Sequence, residues 1–451
     1  MNELLCLLNL AQLKAKDRQR IRELLLEVRD WQPFFERIQT NAVFVLTYSR
    51  LKTFEIDLIG TIGFSTFKKE LSLLARQVEL FEVRARKRCE WVGHFLDRMS
   101  SAGIQVIVLK GGLLGYTLYE FPIYKKMNDI DILVRFEQAE QASKILKELG
   151  FTCVGNLFGQ EEISASTHHA PPYVSSDLSC VVGLHWNIHS KYTPWKADLQ
   201  GIWDRKHPVK IAGTSVFRMS WEDHLLHLCV HLPFYKIGLR ELADVYNTVL
   251  FCNPTIDWSA FKKRVEEWGA EDPAFRVLSL ANSLMPLGLS GGAGEFKTGL
   301  LEEWKRKTSY FCVKDTLERA TSKDLLLQSR STAISRVEKA FSIFRVSENY
   351  LERLKAWAAM WKWTFFPREE DVKKLTRCNQ PKNSWQYFKA RLDAPFLILG
   401  ALSRDYGKGM ILLITIVNIL TVIRETLFFR FLRQRPEILS GSTRELLEAL
   451  E

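Results

Sequence analysis

The sequence predicts an α+β fold, a mixed sheet covered by helices and set inside a mostly helical chain. Three observations carry this. Residues 106–109 (V-I-V-L) and 130–134 (I-D-I-L-V) are apolar runs short enough for buried strands. Between them Lys110-Gly111-Gly112 breaks the first run, and residues 113–119 read as one or two helical turns. On either side of this segment, apolar residues recur at three- and four-residue spacing over long stretches, the pattern of amphipathic helices.

The segment also carries the chemistry. Asp129 and Asp131 stand at the start of the second apolar run. Residues two apart in a strand point the same way, so both carboxylates project from one face. Two like charges that close repel and call for a cation between them. Hard oxygen ligands suit Mg²⁺, which takes one or two carboxylates together with substrate phosphates. A glycine pair after a strand and before a helix lets backbone N–H groups approach a phosphate closely. Strand, Gly-Gly turn, helix and Asp-x-Asp strand together describe a metal-and-triphosphate site. Asp-x-Asp alone is common and means little; the glycine turn seventeen residues upstream makes the pattern more specific.

Taken in order, residues 1–100 read as a helical region. Leu24, Leu25 and Val28 share a face, Trp31, Phe34, Phe35 and Ile38 continue the spacing, and a long charged-apolar helix covers about 67–99. The core is expected over 101–215. After its Asp-x-Asp strand, residues 137–149 form an amphipathic helix ended by Gly150, a C-cap placement. Residues 151–154 begin another strand, and 173–176 and 180–189 read as two more, the last holding Gly183-Leu184-His185-Trp186. A helical domain follows over 216–400. Residues 221–250 are one long helical stretch with His224, His227 and His231 at helical spacing. Such a triplet can hold zinc, but packing on aromatic rings is the stronger reading. Arg240 and Asp244, four apart, are expected to pair. Gly291-Gly292 follows no strand and reads as part of a linker. The tail, 401–451, contains the most apolar run, 409–423, which is shorter than the ~20 residues of a spanning helix. A buried or partner helix is the first reading there. Contact of 409–435 with a membrane surface, through Arg424, Arg430, Arg433 and Arg435, is the second.

Composition narrows the partners. Lys and Arg exceed Asp and Glu by eleven, but the excess is spread along helices, as in residues 14–22 and 84–88, and reads as solvated helix faces. Nucleic acid is therefore not the favoured partner. The eight cysteines are scattered without Cys-x-x-Cys spacing, which argues against structural zinc and a disulfide framework and fits a reducing cytoplasm. Residues 1–13 lack the positive start and cleavage site of a secretory signal. The expected location is cytoplasmic, with a peripheral membrane contact if the tail touches lipid.

On these residues the chain resembles the bacterial family of uncharacterised nucleotidyltransferases, within the superfamily built on a polymerase-β-like core. The resemblance rests on Lys110, Gly111, Gly112, Tyr119, Asp129 and Asp131, with Lys125 where the family usually has an arginine, and on Asp30-Trp31 in the N-terminal block. It implies that Asp129 and Asp131 hold Mg²⁺, that Lys110, Gly111, Gly112 and Lys125 bind the nucleotide, and that an NTP, with ATP the expected one, donates a nucleotidyl group to an unidentified acceptor. The superfamily places a third acidic residue just before its Leu/Ile-His-Trp strand motif, and that position is Gly183 here. His185 is the stand-in we assign to catalysis; Asp177, Glu161 and Glu162 are the others. The competing reading is a catalytically degenerate nucleotide-binding or scaffold protein of the same fold.

Overall fold

The computed structural model describes residues 2–155, 162–164, 167–190, 193, 195–232, 238–252, 254–285, 287, 340, 350–367, 372 and 384–406. Glu161, the Gly291-Gly292 segment and the apolar-basic stretch 409–435 lie outside the described residues. Among those described, no helix is long and apolar enough to cross a membrane.

Four helices open the chain: α1 (Asn2–Leu8), α2 (Ala15–Leu26), α3 (Gln32–Thr40) and α4 (Phe44–Phe54). The long helix α5 (Phe64–Ser101) then leads to the sheet. Its inward residues, from Phe67, Leu71, Leu74 and Val78 to Val92, Phe95, Leu96 and Met99, keep the spacing of one helical stripe. The first four join a core made by helices, and the last four join the core under the sheet. One helix thus ties the two layers together.

The sheet follows as β1 (Ile107–Val108), α6 (Lys110–Thr117), β2 (Ile130–Leu133), α7 (Phe136–Glu148), β3 (Thr152–Cys153), β4 (Tyr173–Val174), β5 (Val181–His185), α8 (Leu199–Asp204), β6 (His207–Ile211) and β7 (Thr214–Arg218). The strand order is β3-β4-β5-β2-β1-β7-β6. β2 runs parallel to β5 and antiparallel to β1, and β1 runs parallel to β7, so the sheet is mixed as expected. Alternation assigns each face. Ile107, Leu109 and Leu133 enter the helical core, while Val108, Ile130 and Ile132 enter the core covered by α7 and α5.

The hairpin of β6 and β7 was not expected. Ala212 and Gly213 both take positive φ (47° and 89°), making the two-residue turn that suits the twist of paired strands. The sheet therefore continues past residue 215 to Arg218. The long histidine stretch is two helices, α9 (Trp221–His231) and α10 (Leu239–Cys252), followed by α11 (Trp258–Trp268) and α12 (Glu271–Leu284). Two further helices, Tyr350–Phe365 and Ser384–Tyr406, are described beyond them.

The opening helices and α9 to α12 share one core. Polar residues stitch them together: Ala11 N–H donates to Asn247 Oδ1 at 2.8 Å, Asn247 Nδ2 to the Asn9 carbonyl at 2.9 Å, and the Tyr246 hydroxyl to the Cys6 carbonyl at 3.1 Å. The buried Arg50 guanidinium closes the end of α1, donating to the carbonyls of Leu7 (3.1 Å), Leu8 (2.9 Å), Leu10 and Ala11 (3.4 Å). These include the carbonyls a helix C-terminus leaves unpaired. Arg50→Ala should destabilise the chain by on the order of 3 kcal/mol, because several buried acceptors lose their donors at once. Arg50→Lys should recover less than half, since an ammonium lacks the planar fork. Urea unfolding checks this; a loss under about 0.5 kcal/mol would show that the carbonyls are satisfied otherwise.

Candidate active site

The glycine turn and the acidic pair meet at the centre of the sheet. β1 and β2 are antiparallel, so the end of β1 lies beside the start of β2, and Leu109 N–H donates to the Asp131 carbonyl at 2.9 Å. Leu109 is extended, and Lys110 then turns abruptly with φ of +45°. A residue with a Cβ in that left-handed region costs about 1 kcal/mol, and such strain is retained where the surroundings hold it. Here the Lys110 ammonium meets Asp131 Oδ2 at 2.7 Å.

Gly112 answers a packing need. A Cβ there would sit 3.2 Å from Val108 Cγ1 and 3.5 Å from Ile130 Cγ2, so a larger residue would have to push the Val108 side chain aside by a few tenths of an ångström. At Gly111 the same atom would find ordinary contacts with Met127 and Lys125. The first α6 hydrogen bond runs from Leu113 N–H to the Leu109 carbonyl. The amides of Gly111 and Gly112 therefore have no acceptor within the helix.

Asp131 is buried at 8% exposure and accepts a second bond, from His185 Nε2 at 3.0 Å. Burial would raise its pKa, but the Lys110 and His185 charges and their hydrogen bonds outweigh it and hold the carboxyl well below the usual range. Asp129 behaves oppositely. The Asp131 charge, and after it burial, pushes its pKa up to about 6. The Asp129 side chain is exposed, so the neighbouring charge is the cause that matters. One carboxylate is neutralised by the protein, and its repelled partner faces solvent.

The third-acid position explains the His185 contact. β2 and β5 pair Asp131 with Gly183 and Leu133 with His185. A Cβ on Gly183 would lie 2.2 Å from Asp131 Oδ1 and 3.2 Å from His185 Nε2. The space a side chain would claim is occupied by that carboxylate and that imidazole. In the neutral tautomer that gives Nε2–H to Asp131, His185 Nδ1 is an acceptor, and it is buried without a hydrogen-bond partner. His169, whose ring centre is 5.1 Å from that of His185, is held below its ordinary pKa by burial, then by the His185 charge. The sequence reading gave His169 no role; its only signal was a His-His pair ahead of the strand.

The other stand-ins are committed elsewhere. Asp177 fixes the turn before β5, accepting from Ser175 Oγ (2.8 Å), Ser179 Oγ (2.7 Å) and Trp91 Nε1 (3.1 Å). Glu162 binds Lys147 at 2.6 Å together with the Ser143 and Tyr173 hydroxyls. The expected pairing of Arg240 with Asp244 is replaced. Arg240 turns to Glu241, and Asp244 takes the buried Lys125 ammonium at 2.9 Å. Lys125 thus locks the loop before Asp129 to α10 instead of presenting a free charge. Tyr119, Tyr124, Lys125, Lys126 and Arg240 line a small recess of about 20 Å³ open to solvent.

The α9 histidines pack as neutral rings. Burial lowers His224 to about 3, and its ring meets Trp221 edge-on at 5.8 Å. Among the described residues no three His, Cys, Asp or Glu side chains are grouped to hold a metal ion.

The comparison with protein families decides the kinship. The family model described as uncharacterised nucleotidyltransferase matches residues 27–286, more than half of the chain. The chain belongs to that family. The match spans α3 to α12, so the helices on both sides of the sheet are part of the family unit, and nucleotidyl transfer is the class of reaction it supports. No curated protein and no solved structure matches the chain.

Proposed function

We propose that the chain moves a nucleotidyl group from an NTP, ATP by expectation, to a small-molecule, peptide or protein acceptor, releasing pyrophosphate in a Mg²⁺-dependent reaction. The observation that carries this reading is the juxtaposition of the α6 amides, Lys110, Asp129 and Asp131 at the ends of the two central strands. The donor set fits the ion: two hard carboxylates, one raised in pKa by the other, are the arrangement a divalent cation relieves. Asp129 and Asp131 would hold it, and when bound it would offset triphosphate charge and orient the reacting phosphate. Gly111 and Gly112 amides grip the phosphates, and Lys110 neutralises charge that builds as the α-phosphorus bond to pyrophosphate breaks. The acceptor oxygen forms the new bond to the α-phosphorus, and its proton passes to the His185 imidazole. Asp131 orients that imidazole and steadies it once charged, the role a carboxylate partner plays for a histidine base. Lys125 positions the Asp129 loop through Asp244.

A second reading, a degenerate nucleotide-binding member, is favoured by Gly183. Incubating each labelled NTP with cell extract and the purified chain separates the two. Transferred label, lost in an Asp129→Ala, Asp131→Ala double variant, supports transfer; nucleotide binding without transferred label supports the degenerate member.

The pH dependence follows from Asp129. The carboxyl is ionised above about 6 and protonated below it, so a proton competes with the cation. Affinity for Mg²⁺ should fall about tenfold per pH unit below about 6, read by calorimetric titration; a flat profile from pH 7 to 5 would remove Asp129 from the ligand set. The folded value is raised above the ordinary carboxylate value, so the native state holds this proton more tightly than the unfolded chain does. In the cation-free protein, stability from this group is present at low pH and is lost as pH rises through about 6. Asp129→Asn should accordingly raise the cation-free melting temperature above pH 6 while abolishing cation affinity.

A further inference from the structure

Arg88 lies on the buried stripe of α5 and is 6% exposed. Its Nη1 donates to the Met127 carbonyl at 3.0 Å, two residues before Asp129. Its Nε and Nη2 are buried with no hydrogen-bond partner. Those two groups form the edge of the guanidinium that presents parallel N–H donors, the geometry matched to a phosphate or carboxylate. The Tyr116 hydroxyl, on α6, is buried too, with the Cys89 thiol, a weak partner, as its neighbour, and it senses the Arg88 charge. A buried guanidinium stays charged, and leaving it unpaired is costly. Asp129 lies near enough for its charge to act on Arg88.

We propose that the buried Nε and Nη2 edge of Arg88, which has no hydrogen-bond partner, and the Tyr116 hydroxyl form a subsite for a phosphate-type oxyanion beside Asp129. The recognition is by two charge-assisted hydrogen bonds from one guanidinium edge and a third from the phenol. In the transfer reading, on which the assignment of a source rests, the oxyanion comes from the NTP polyphosphate or from a phosphate on the acceptor. This subsite is separate from the α6 amides, because Tyr116 stands five residues further along that helix than Gly111.

Calorimetric titration of the full chain with inorganic pyrophosphate and with ATP, without divalent cations, tests this on the wild type, Arg88→Lys and Tyr116→Phe. Pyrophosphate affinity should fall about tenfold or more in Arg88→Lys, which keeps the charge and loses the fork, and about threefold in Tyr116→Phe. An equal fall for ATP assigns the oxyanion to the NTP; an unchanged ATP affinity assigns it to the acceptor. A wild type that takes up no pyrophosphate, or variants that bind it as the wild type does, overturns the subsite. A merely structural Arg88 would lower the melting temperature of Arg88→Lys without changing the affinity of the folded protein. If Arg88→Lys does not fold, Tyr116→Phe decides alone, since it removes only a hydroxyl whose neighbour is the weakly bonding Cys89 thiol. Lost pyrophosphate binding in these variants with no transferred label in the extract assay leaves the subsite standing and removes the transfer reading; the reverse result removes only the subsite.

Discussion

Asp131→Asn should lower nucleotidyl transfer by about a thousandfold or more. Three functions leave with one charge. The cation loses its buried ligand, Lys110 loses the carboxylate that aims its ammonium at 2.7 Å, and His185 loses the acceptor that fixes its Nε2 proton at 3.0 Å. Stability should fall too, by about 3 kcal/mol, because a buried ion pair broken from one side leaves the other charge unpaired. Lys110 is in addition strained at φ +45°, and the ion pair with Asp131 is a contact that offsets that strain. The two losses can be separated. Lys110→Met together with Asp131→Asn should regain most of the stability and none of the transfer, measured by urea unfolding and by labelled NTP. Transfer within tenfold of wild type in Asp131→Asn would remove this carboxylate from the reaction.

Gly183→Ala is expected to cost about a hundredfold in transfer although alanine is the smallest possible side chain. The added Cβ claims a point 2.2 Å from Asp131 Oδ1, so the carboxylate must rotate and give up His185, Lys110 or both. Overpacking of this kind costs about 1–3 kcal/mol, and the melting temperature should drop by several degrees. Gly183→Asp distinguishes space from charge. It places a third carboxylate where the superfamily resemblance expects one, so the cation-free protein should be less stable than Gly183→Ala through added repulsion. Mg²⁺ should recover that loss in Gly183→Asp and not in Gly183→Ala. If Gly183→Ala matches the wild type in both melting and rate, the contact of Asp131 with His185 has no bearing on function.

The parts of the site set by local pattern were legible in the sequence. The strand, glycine turn and Asp-x-Asp run are adjacent in the chain and adjacent in space, and His185 lies two residues from the paired Gly183 on a neighbouring strand. Helices α1 to α5 follow from spacing alone. What depended on tertiary choice was not legible. Lys125 pairs with Asp244 on α10, and Arg240 with Glu241. The β6–β7 hairpin turns on Ala-Gly, a weaker signal than Asn-Gly. Arg88 was read as part of a solvated run, and Arg84, Arg86 and Lys87 are indeed exposed. Position 88 nevertheless falls on the stripe of Ala85, Val92 and Met99, so counting the helical face residue by residue would have singled out the one arginine turned inward.

The account depends on two carboxylates sharing a divalent cation opposite amides that hold phosphate. Anomalous diffraction from crystals soaked with Mn²⁺ and a non-hydrolysable ATP analogue tests it most directly. The predicted result is a manganese peak bridging the Asp129 and Asp131 carboxylates, with analogue phosphate against the Gly111 and Gly112 amides. Manganese elsewhere, or an analogue whose phosphates lie away from that turn, would contradict it.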